Sequence, residues 1–338
     1  MRLFSVIGFV FVLVLIGWWH QEPTYPAVDD KYFGVSLESP PKSIDSLRYS
    51  TVTKLNPSHV AIIPYAFSRS GEPMVYYDRN HRWWGESFEG VVTLVNLARA
   101  QRQSIMIKPH VWISKEGWPG EYTLKTEEDW QVWEETYTRY IIDFATLADS
   151  LEVELFCIGT EFRKAVVERP EFWQQLIREV KAVYTGKITY AANWDNFENV
   201  SFWKELDYIG IDAYFPLDTA LRPSREHLIA QWQPINQLLA AYSKKYQKPI
   251  LFTEYGYRSV CHTTGPHWES DDHLFDEKAQ QVAYEAMYET VWSQPWFAGG
   301  FLWKWRFYDD IGGFNDKGFT PQGKSAETTI ARYYRIGE

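Results

Sequence analysis

The stretch KPILFTEYGY, Lys248 to Tyr257, places a carboxylate at the end of an apolar run. Its central residues, Ile250 to Thr253, are apolar or β-branched and are typical of a strand that is buried on both faces. Glu254 follows at once, and two aromatic residues and a glycine come after it. A buried strand that ends in an acid indicates a parallel sheet, in which functional side chains gather at the carboxyl ends of the strands.

Seven further apolar runs occur along the chain, and longer helical patterns separate most of them. The runs are 31–37, 59–67, 104–112, 152–161, 187–193, 207–215 and 298–305, and the helical patterns are 87–103, 125–150, 169–184, 224–246 and 276–294. Eight strands that alternate with helices predict a (β/α)8 TIM barrel with a single catalytic domain. A doubly wound open sheet is the alternative, although no G-x-G-x-x-G motif follows the first run.

The composition excludes several classes of function. The net charge of the 338-residue chain is −10 without basic runs, which argues against a nucleic-acid partner. Two cysteines do not form a disulfide framework, and no metal-binding spacing or phosphate-binding loop is present, so we expect no metal or cofactor. Aromatic residues make up 17% of the chain, which suits either a tryptophan-rich core or stacking on the flat faces of sugars.

The N-terminus has the pattern of an export signal. After Met1 and Arg2, residues 4–19 carry no charge, as expected of a signal peptide or signal anchor over residues 1–20. No A-x-A-like cleavage site follows, and Trp18 and Trp19 suit a membrane interface, which favours the anchor. Residues 21–30 then form a linker, and 31–338 form the barrel. We therefore expect an exported protein of the periplasm or cell envelope, tethered to the membrane through residues 4–19.

Two glutamates at the ends of predicted strands are the sharpest candidates for catalysis. Glu161 ends the fourth run and Glu254 ends the seventh, so their carboxyls can face each other across the mouth of the barrel. A retaining glycosidase needs two carboxyls about 5–5.5 Å apart. The alternative is that either glutamate is a surface charge or an ion-pair partner, because the chain holds 44 acidic residues.

Other side chains near the strand ends are candidates for binding a substrate. They are His110, Asn193, Trp194, Asp195, Tyr214, Tyr257, Trp303 and Trp305. Trp83 and Trp84, in the loop NHRWWGES, are candidates for stacking on further sugar units. Each candidate has a structural alternative: core packing or cover of the barrel end for the aromatic residues, and a turn, a helix cap or a satisfied histidine for the polar ones.

The order of the motifs resembles a known family. These motifs are IKPHVW (107–112), IGTEF (158–162), NWDNF (193–197), IDAYFP (211–216), TEYGY (253–257), FLWKW (301–305) and GFTPQGKSAE (318–327). Together they resemble family 113 of the glycoside hydrolases, a β-1,4-mannanase family in the clan of retaining (β/α)8-barrel glycosidases. The resemblance runs from about Tyr32 to the end of the chain. One departure is Thr160, which stands where the wider clan usually has an asparagine that bonds the sugar 2-hydroxyl.

The resemblance implies a function and assigns roles to residues. It implies a retaining hydrolase that cleaves β-1,4-mannan or its oligosaccharides, with Glu161 as general acid/base and Glu254 as nucleophile. We expect the protein to be a monomer. The resemblance places Tyr214 where its hydroxyl can hydrogen-bond Glu254, and Trp303 under the sugar at the cleavage point. The alternatives are a glycosidase of the same clan that acts on another β-glycan, such as β-glucan, and a barrel that binds glycan without cutting it.

Overall fold

The computed structural model describes residues 25–26, 28, 30–77, 83–115, 117–266 and 274–336. The predicted export signal and most of the linker lie outside these residues, as do 80–82 of the loop that holds Trp83 and 267–273 of the loop after the seventh predicted strand. Among the described helices, none has the length and apolar composition that a membrane span requires.

Eight parallel strands close into a barrel, which confirms the predicted (β/α)8 fold. The strands of the described chain are β1 (Tyr32–Leu37), β2 (His59–Ile62), β3 (Tyr65–Arg69), β4 (Ser104–Ile107), β5 (His110–Ser114), β6 (Leu155–Thr160), β7 (Lys187–Asn193), β8 (Ile209–Asp212), β9 (Ile250–Tyr255) and β10 (Phe297–Trp305). The barrel order is β1–β2–β4–β6–β7–β8–β9–β10, and β10 pairs with β1 to close it. The open-sheet alternative is therefore wrong.

Helices surround the barrel where the sequence predicts them. The helices of the described chain are α1 (Ser46–Tyr49), α2 (Phe88–Ala100), α3 (Glu127–Ser150), α4 (Ala165–Glu168), α5 (Pro170–Val183), α6 (Arg225–Tyr246), α7 (Glu277–Thr290) and α8 (Ser325–Ile336). The five expected helices correspond to α2, α3, α5, α6 and α7. At the start of α3, the Thr126 hydroxyl accepts a hydrogen bond of 3.1 Å from the backbone N–H of Asp129, which satisfies one exposed donor of the first turn.

The second and third predicted strands are each divided in two by a proline. Pro64 separates β2 from β3, and Pro109 separates β4 from β5. Because proline has no N–H to donate, barrel pairing stops there, and β3 and β5 leave the barrel to pair with each other as a separate parallel sheet. The Tyr140 hydroxyl of α3 holds both continuations, donating to the carbonyls of Pro64 at 2.7 Å and His110 at 3.0 Å.

The apolar core has two parts. The larger part fills the layer between the strands and the helices and contains most of the buried tryptophans. The smaller part lies inside the barrel toward the amino ends of the strands, where Met106, Leu155, Leu251 and Phe301 pack together. This interior packing makes the lower half of the barrel a solid core, so a cavity is left at the carboxyl ends of the strands.

Candidate active site

A cavity of about 780 Å³ opens at the carboxyl ends of the strands. Its size suits a few sugar rings, and its wall mixes aromatic and charged side chains. The lining residues are Tyr65, His110, Val111, Trp112, Gly117, Trp118, Pro119, Thr160, Glu161, Arg163, Asn193, Trp194, Asp195, Tyr214, Glu254, Trp303 and Phe319. Both candidate catalytic glutamates therefore face the same space.

Glu254 is held by hydrogen bonds to both of its carboxylate oxygens. The Lys108 ammonium donates to Oε1 at 2.5 Å, and the Tyr214 hydroxyl donates to Oε2 at 2.7 Å. The bond from Tyr214 is the one that the sequence led us to expect. Burial and the Glu254 charge raise the pKa of Tyr214 well above its usual value, so its hydroxyl keeps the proton that it donates. Glu254 is thereby fixed in orientation by two donors, one of which is a cation.

A shift in strand register brings Glu254 into the cavity. Ile211 of β8 pairs with Phe252 of β9, but the next residue, Asp212, pairs with Glu254, so β9 carries one extra residue at this point. An extra residue changes the alternation of side chains along a strand. Thr253 consequently donates to Asp212 at 2.7 Å inside the barrel, while the adjacent Glu254 also points inward.

An ion pair between Lys108 and Asp212 lies beneath Glu254. The Lys108 ammonium donates to Oδ1 of Asp212 at 2.9 Å, and neither side chain is exposed. Burial and the neighbouring Glu254 charge raise the pKa of Asp212 to about 7, although Lys108 opposes this shift. Burial lowers the pKa of Lys108, but the attraction of Asp212 and Glu254 more than compensates and leaves it above its usual value. The lysine is thus a fixed cation.

Glu161 lies in a different environment. It follows directly after β6, and its φ of 56° places it in the left-handed region, which is uncommon for a residue with a side chain and is frequent at functional sites. Its backbone N–H donates to the carbonyl of Ala191 at 2.8 Å, which holds this conformation. Burial first, and then the charges of Asp212 and Glu254, raise the pKa of Glu161 well above its usual value. Glu161 is therefore suited to hold a proton near neutral pH.

His110 and Trp303 form a stacked pair in the cavity wall. Their ring centroids are 5.9 Å apart with an angle of 8° between the planes, and Nε2 of His110 lies 3.5 Å from Oε1 of Glu254. Burial, Lys108 and Lys304 hold the pKa of His110 well below its usual value. The imidazole is therefore neutral, and its Nε2 is buried without a hydrogen-bond partner among the described residues.

Polar groups line the side of the cavity next to Glu161. The Asn193 amide donates to Oδ1 of Asp195 at 2.9 Å, and the Arg163 guanidinium donates to Oδ2 of Asp195 at 3.2 Å. Arg163 also lies 5.5 Å from the centre of the Trp118 ring and forms an ion pair with Glu121. This wall presents an aromatic face next to fixed donors and acceptors, a combination that suits a sugar ring and its hydroxyls.

Four of the predicted binding residues lie outside the cavity wall. Trp305 is buried against the helix layer and donates from Nε1 to the Thr51 hydroxyl at 3.2 Å. The cause is one extra residue in β10, since Val35 pairs with Leu302 but Leu37 pairs with Trp305, so Trp303 and Trp305 face different layers.

Tyr257 packs edge-on against Tyr284 of α7 at 5.2 Å, on the same side as Tyr255 and away from the cavity. Two residues separate equivalent faces of an extended chain, so Tyr257 follows Tyr255 rather than Glu254. Trp83 and Trp84 are also absent from the cavity lining: Trp83 is 44% exposed beside Tyr308, and Trp84 packs on the core. We predicted that Tyr257 and Trp305 contact the sugar, but neither side chain lines the cavity.

Several site residues were not predicted as such. Besides Lys108 and Asp212, they include Trp112, Trp118 and Arg163 in the cavity wall. A signal for Lys108 was present: it is two residues beyond Met106 on an apolar run, and side chains two apart share a face of a strand. A charge on the interior face of a barrel strand indicates a site. No comparable signal marks Trp118, which lies in a loop.

Carboxyls of unequal environment in an aromatic-lined cleft at the mouth of a (β/α)8 barrel define a glycoside hydrolase. The model of Glycoside Hydrolase Family 113 matches residues 40–324, and the chain belongs to this family. Among curated protein sequences, none matches this chain.

Solved structures agree with this assignment. The GH113 β-mannanase AaManA from Alicyclobacillus acidocaldarius, in complex with ManMIm, is 25% identical, with a TM-score of 0.81 over 92% of this chain and 100% of that one. A second structure, described as a GH113 β-1,4-mannanase, is 23% identical, with a TM-score of 0.78 over 90% and 99% of the two chains. A β-glucuronidase from Faecalibacterium prausnitzii, at 15% identity and a TM-score of 0.59, shares only the fold and matches over 49% of its length.

Proposed function

We propose that this protein is a retaining hydrolase that cleaves β-1,4-mannosidic bonds in mannan or manno-oligosaccharides by double displacement. In this mechanism Glu254 attacks the anomeric carbon while Glu161 protonates the departing glycosidic oxygen. Glu161 then removes a proton from water, which attacks the glycosyl-enzyme ester and releases the sugar with its original stereochemistry. The protein returns to its starting state without a cofactor.

One observation carries the assignment of roles: the two carboxyls in the cavity differ in environment. Glu254 accepts hydrogen bonds from Lys108 and Tyr214, which favour the anion that a nucleophile requires. Burial and neighbouring negative charges raise the pKa of Glu161, which favours the protonated form that an acid requires. The two environments therefore separate the two roles.

The choice of mannan rests on family membership and on the similarity to β-mannanase structures. The neutral His110 beside Trp303 is suited to hydrogen-bond a hydroxyl of the sugar at the cleavage point, and Asn193 and Asp195 are suited to a neighbouring ring. Thr160 lines the cavity and its hydroxyl is 3.4 Å from the Pro109 carbonyl, so the donor usually supplied by an asparagine is replaced by a shorter side chain.

The substrate is tested by incubating the purified protein with mannohexaose, a β-glucan and a β-xylan and measuring the reducing ends released. We expect cleavage of the manno-oligosaccharide in preference to the others. Preference for β-glucan would support a β-glycosidase but contradict mannan as its substrate. Binding without cleavage of any of the three would contradict the hydrolase itself.

The mechanism is tested with azide and an aryl β-manno-oligosaccharide. In Glu254→Ala, azide replaces the nucleophile and attacks from the opposite face, so an α-glycosyl azide is expected. In Glu161→Ala, azide attacks the glycosyl-enzyme and a β-glycosyl azide is expected. Glu171→Ala, on the exposed surface of α5, is the matched control and is expected to behave as the wild type. Identical azide products from both active-site variants would refute the assignment.

We also propose that residues 31–338 act as one exported catalytic domain, and that residues 4–19 direct it to the cell envelope. The uncharged segment behind Arg2 supports this proposal. Cell fractionation of the expressing organism, followed by N-terminal sequencing, tests it. A protein that remains in the cytoplasm would contradict export, and a mature N-terminus near residue 21 would favour a cleaved signal over an anchor.

A further inference from the structure

Lys108 and Asp212 form a buried ion pair that packing of the barrel interior does not require. One ammonium serves two carboxylates, Oδ1 of Asp212 at 2.9 Å and Oε1 of Glu254 at 2.5 Å, and the side chains of Lys108 and Asp212 have no exposed surface. Removing charges from water is costly, and replacing a buried ion pair with apolar residues is often neutral or stabilising. The pair is therefore better explained by its effect on its neighbours than by stability.

The two carboxyl oxygens of Asp212 differ in their hydrogen bonds. Oδ1 accepts hydrogen bonds from both Lys108 and the Thr253 hydroxyl, whereas Oδ2 is buried without a hydrogen-bond partner in the described part of the chain. A carboxyl in this state is fixed in position by one oxygen and is free to bind a proton on the other. Its charge is thus able to change without a change in its geometry.

We propose that Lys108 and Asp212 are positioning residues that set the proton occupancy of the two candidate catalytic carboxyls. Lys108 holds Glu254 as the carboxylate, and Asp212 keeps the proton on Glu161. This inference rests on the proposed function of the cavity. It goes further, because it assigns control of the acidic and alkaline limbs of the pH–activity profile to two residues that do not face the substrate.

The charges act in opposite directions on the two glutamates. The Lys108 ammonium contacts both Glu254 and Asp212, so without it the repulsion between these two carboxylates is no longer offset. Conversely, the Asp212 charge is the largest electrostatic influence that raises the pKa of Glu161, second only to burial. Since the pKa of Asp212 is about 7, its charge appears on the alkaline side, where Glu161 would otherwise lose its proton.

Other groups surround this centre and contribute to its field. Among the described residues, the other titratable groups that interact with this centre are Tyr65, His110, Cys157, Glu161, Tyr190 and Tyr214, and Lys304 acts on it through His110. Burial raises the pKa of the Cys157 thiol to about 11, and burial also keeps His110 neutral. Near neutral pH the changes in charge at the centre therefore belong to the carboxyls.

The pH dependence of kcat/KM separates the two effects. In Asp212→Asn, which keeps an oxygen for Lys108 and Thr253, we expect the alkaline limb to move to lower pH by about one unit or more. In Lys108→Met, we expect the acidic limb to move to higher pH by a similar amount. The double variant, Lys108→Met with Asp212→Asn, removes both charges of the pair and therefore serves if Lys108→Met alone misfolds. Its acidic limb should still lie at higher pH than that of Asp212→Asn.

Asp195→Asn is the matched control, because it removes a carboxylate from the wall of the same cavity. It is expected to leave the positions of both limbs unchanged even if KM rises. A purely structural role for Asp212 would lower kcat without moving a limb, and that result would overturn the proposal. A Lys108→Met profile that coincides with the wild-type profile would overturn the part that concerns Glu254.

A readout without substrate distinguishes this proposal from the proposed function. The full chain is labelled with ¹³C at glutamate side-chain carboxyls, and the Glu161 signal, assigned with Glu161→Gln, is titrated in wild type and in Asp212→Asn. A lower titration midpoint in the variant supports the charge effect even if the wild type cleaves no β-glycan, in which case only the proposed function fails. An unchanged midpoint would overturn the role of Asp212 whatever the activity.

Discussion

The interior of the barrel has two halves with opposite chemistry. Toward the amino ends of the strands, Met106, Leu155, Leu251 and Phe301 form an apolar core, and the Tyr32 hydroxyl is paired within it. Toward the carboxyl ends, β4, β8 and β9 place Lys108, Asp212 and Glu254 in a network that is almost completely buried. Burial of apolar groups stabilises the fold, whereas burial of charges costs free energy. The apolar lower half therefore stabilises the fold, and this stability offsets the cost of burying charges in the upper half.

The largest effects should follow changes in the upper half. Glu254→Gln keeps the shape but removes the nucleophile, so we expect kcat to fall at least about 10⁴-fold. Glu161→Gln should reduce kcat/KM by about 10²- to 10⁴-fold on mannohexaose, and by much less on a dinitrophenyl glycoside whose leaving group needs no proton. Steady-state kinetics on both substrates measures this. Equal losses for Glu161→Gln on the two substrates would argue against its role as the acid.

Tyr214→Phe tests the bond that orients the nucleophile. It removes the 2.7 Å hydrogen bond to Oε2 of Glu254 but keeps the ring. A hydrogen bond to a charged group contributes about 1.5–3 kcal/mol, which corresponds to roughly a 10- to 150-fold loss in kcat. Comparison of kcat and KM with those of the wild type measures the effect. A rise in KM alone would show that Tyr214 binds substrate rather than holding Glu254.

A smaller change is expected in stability when the lower half is altered. In Tyr32→Phe, the 2.9 Å hydrogen bond to the Tyr208 hydroxyl is lost, although Lys187 still contacts that hydroxyl at 3.0 Å. We expect the free energy of unfolding to fall by about 1 kcal/mol with kcat unchanged. Urea unfolding followed by tryptophan fluorescence measures the stability. A loss of activity in the folded variant would show that the two halves are coupled.

A similarly small effect, on substrate binding alone, is expected from the exposed tryptophans at the rim. Trp112 is 53% exposed and lines the cavity, so Trp112→Ala should raise KM for mannohexaose by up to about tenfold, equivalent to roughly 0.5–1.5 kcal/mol, with little change in kcat. Trp83→Ala is its matched comparison, because Trp83 is 44% exposed but lies outside the cavity wall. An equal rise in KM for Trp83→Ala would extend the binding site across the rim, as predicted from the sequence.

The fold was predictable because the strands are continuous apolar runs and the helices begin at recognisable caps such as Thr126. The positions of Glu161, Glu254 and Tyr214 followed from the rule that parallel barrels place function at strand ends. Tyr257 and Trp305 were misplaced for a physical reason. Tyr257 shares the outward face of Tyr255, whereas Trp305 follows an extra residue in β10, which a sequence does not display.

The buried cation could be seen in part. The lysine of IKPHVW interrupts an apolar run, but its partners come from β8 and β9, more than 100 residues away in sequence. Such a contact depends on closure of the barrel, which sets the strands opposite one another. Asp212 and Glu254 were both visible at strand ends, yet only the three-dimensional arrangement makes them share one ammonium.

The two prolines that end barrel pairing have a consequence for engineering. Beyond Pro64 and Pro109, the small β3–β5 sheet carries Tyr65, His110 and Trp112 into the cavity while contributing nothing to closure of the barrel. It is joined to the scaffold at defined points, and Tyr140 clamps both junctions. This sheet can therefore be exchanged as a unit. Its rim residues can be replaced by those of related enzymes to alter substrate preference, while the strands that hold the charged centre stay in register.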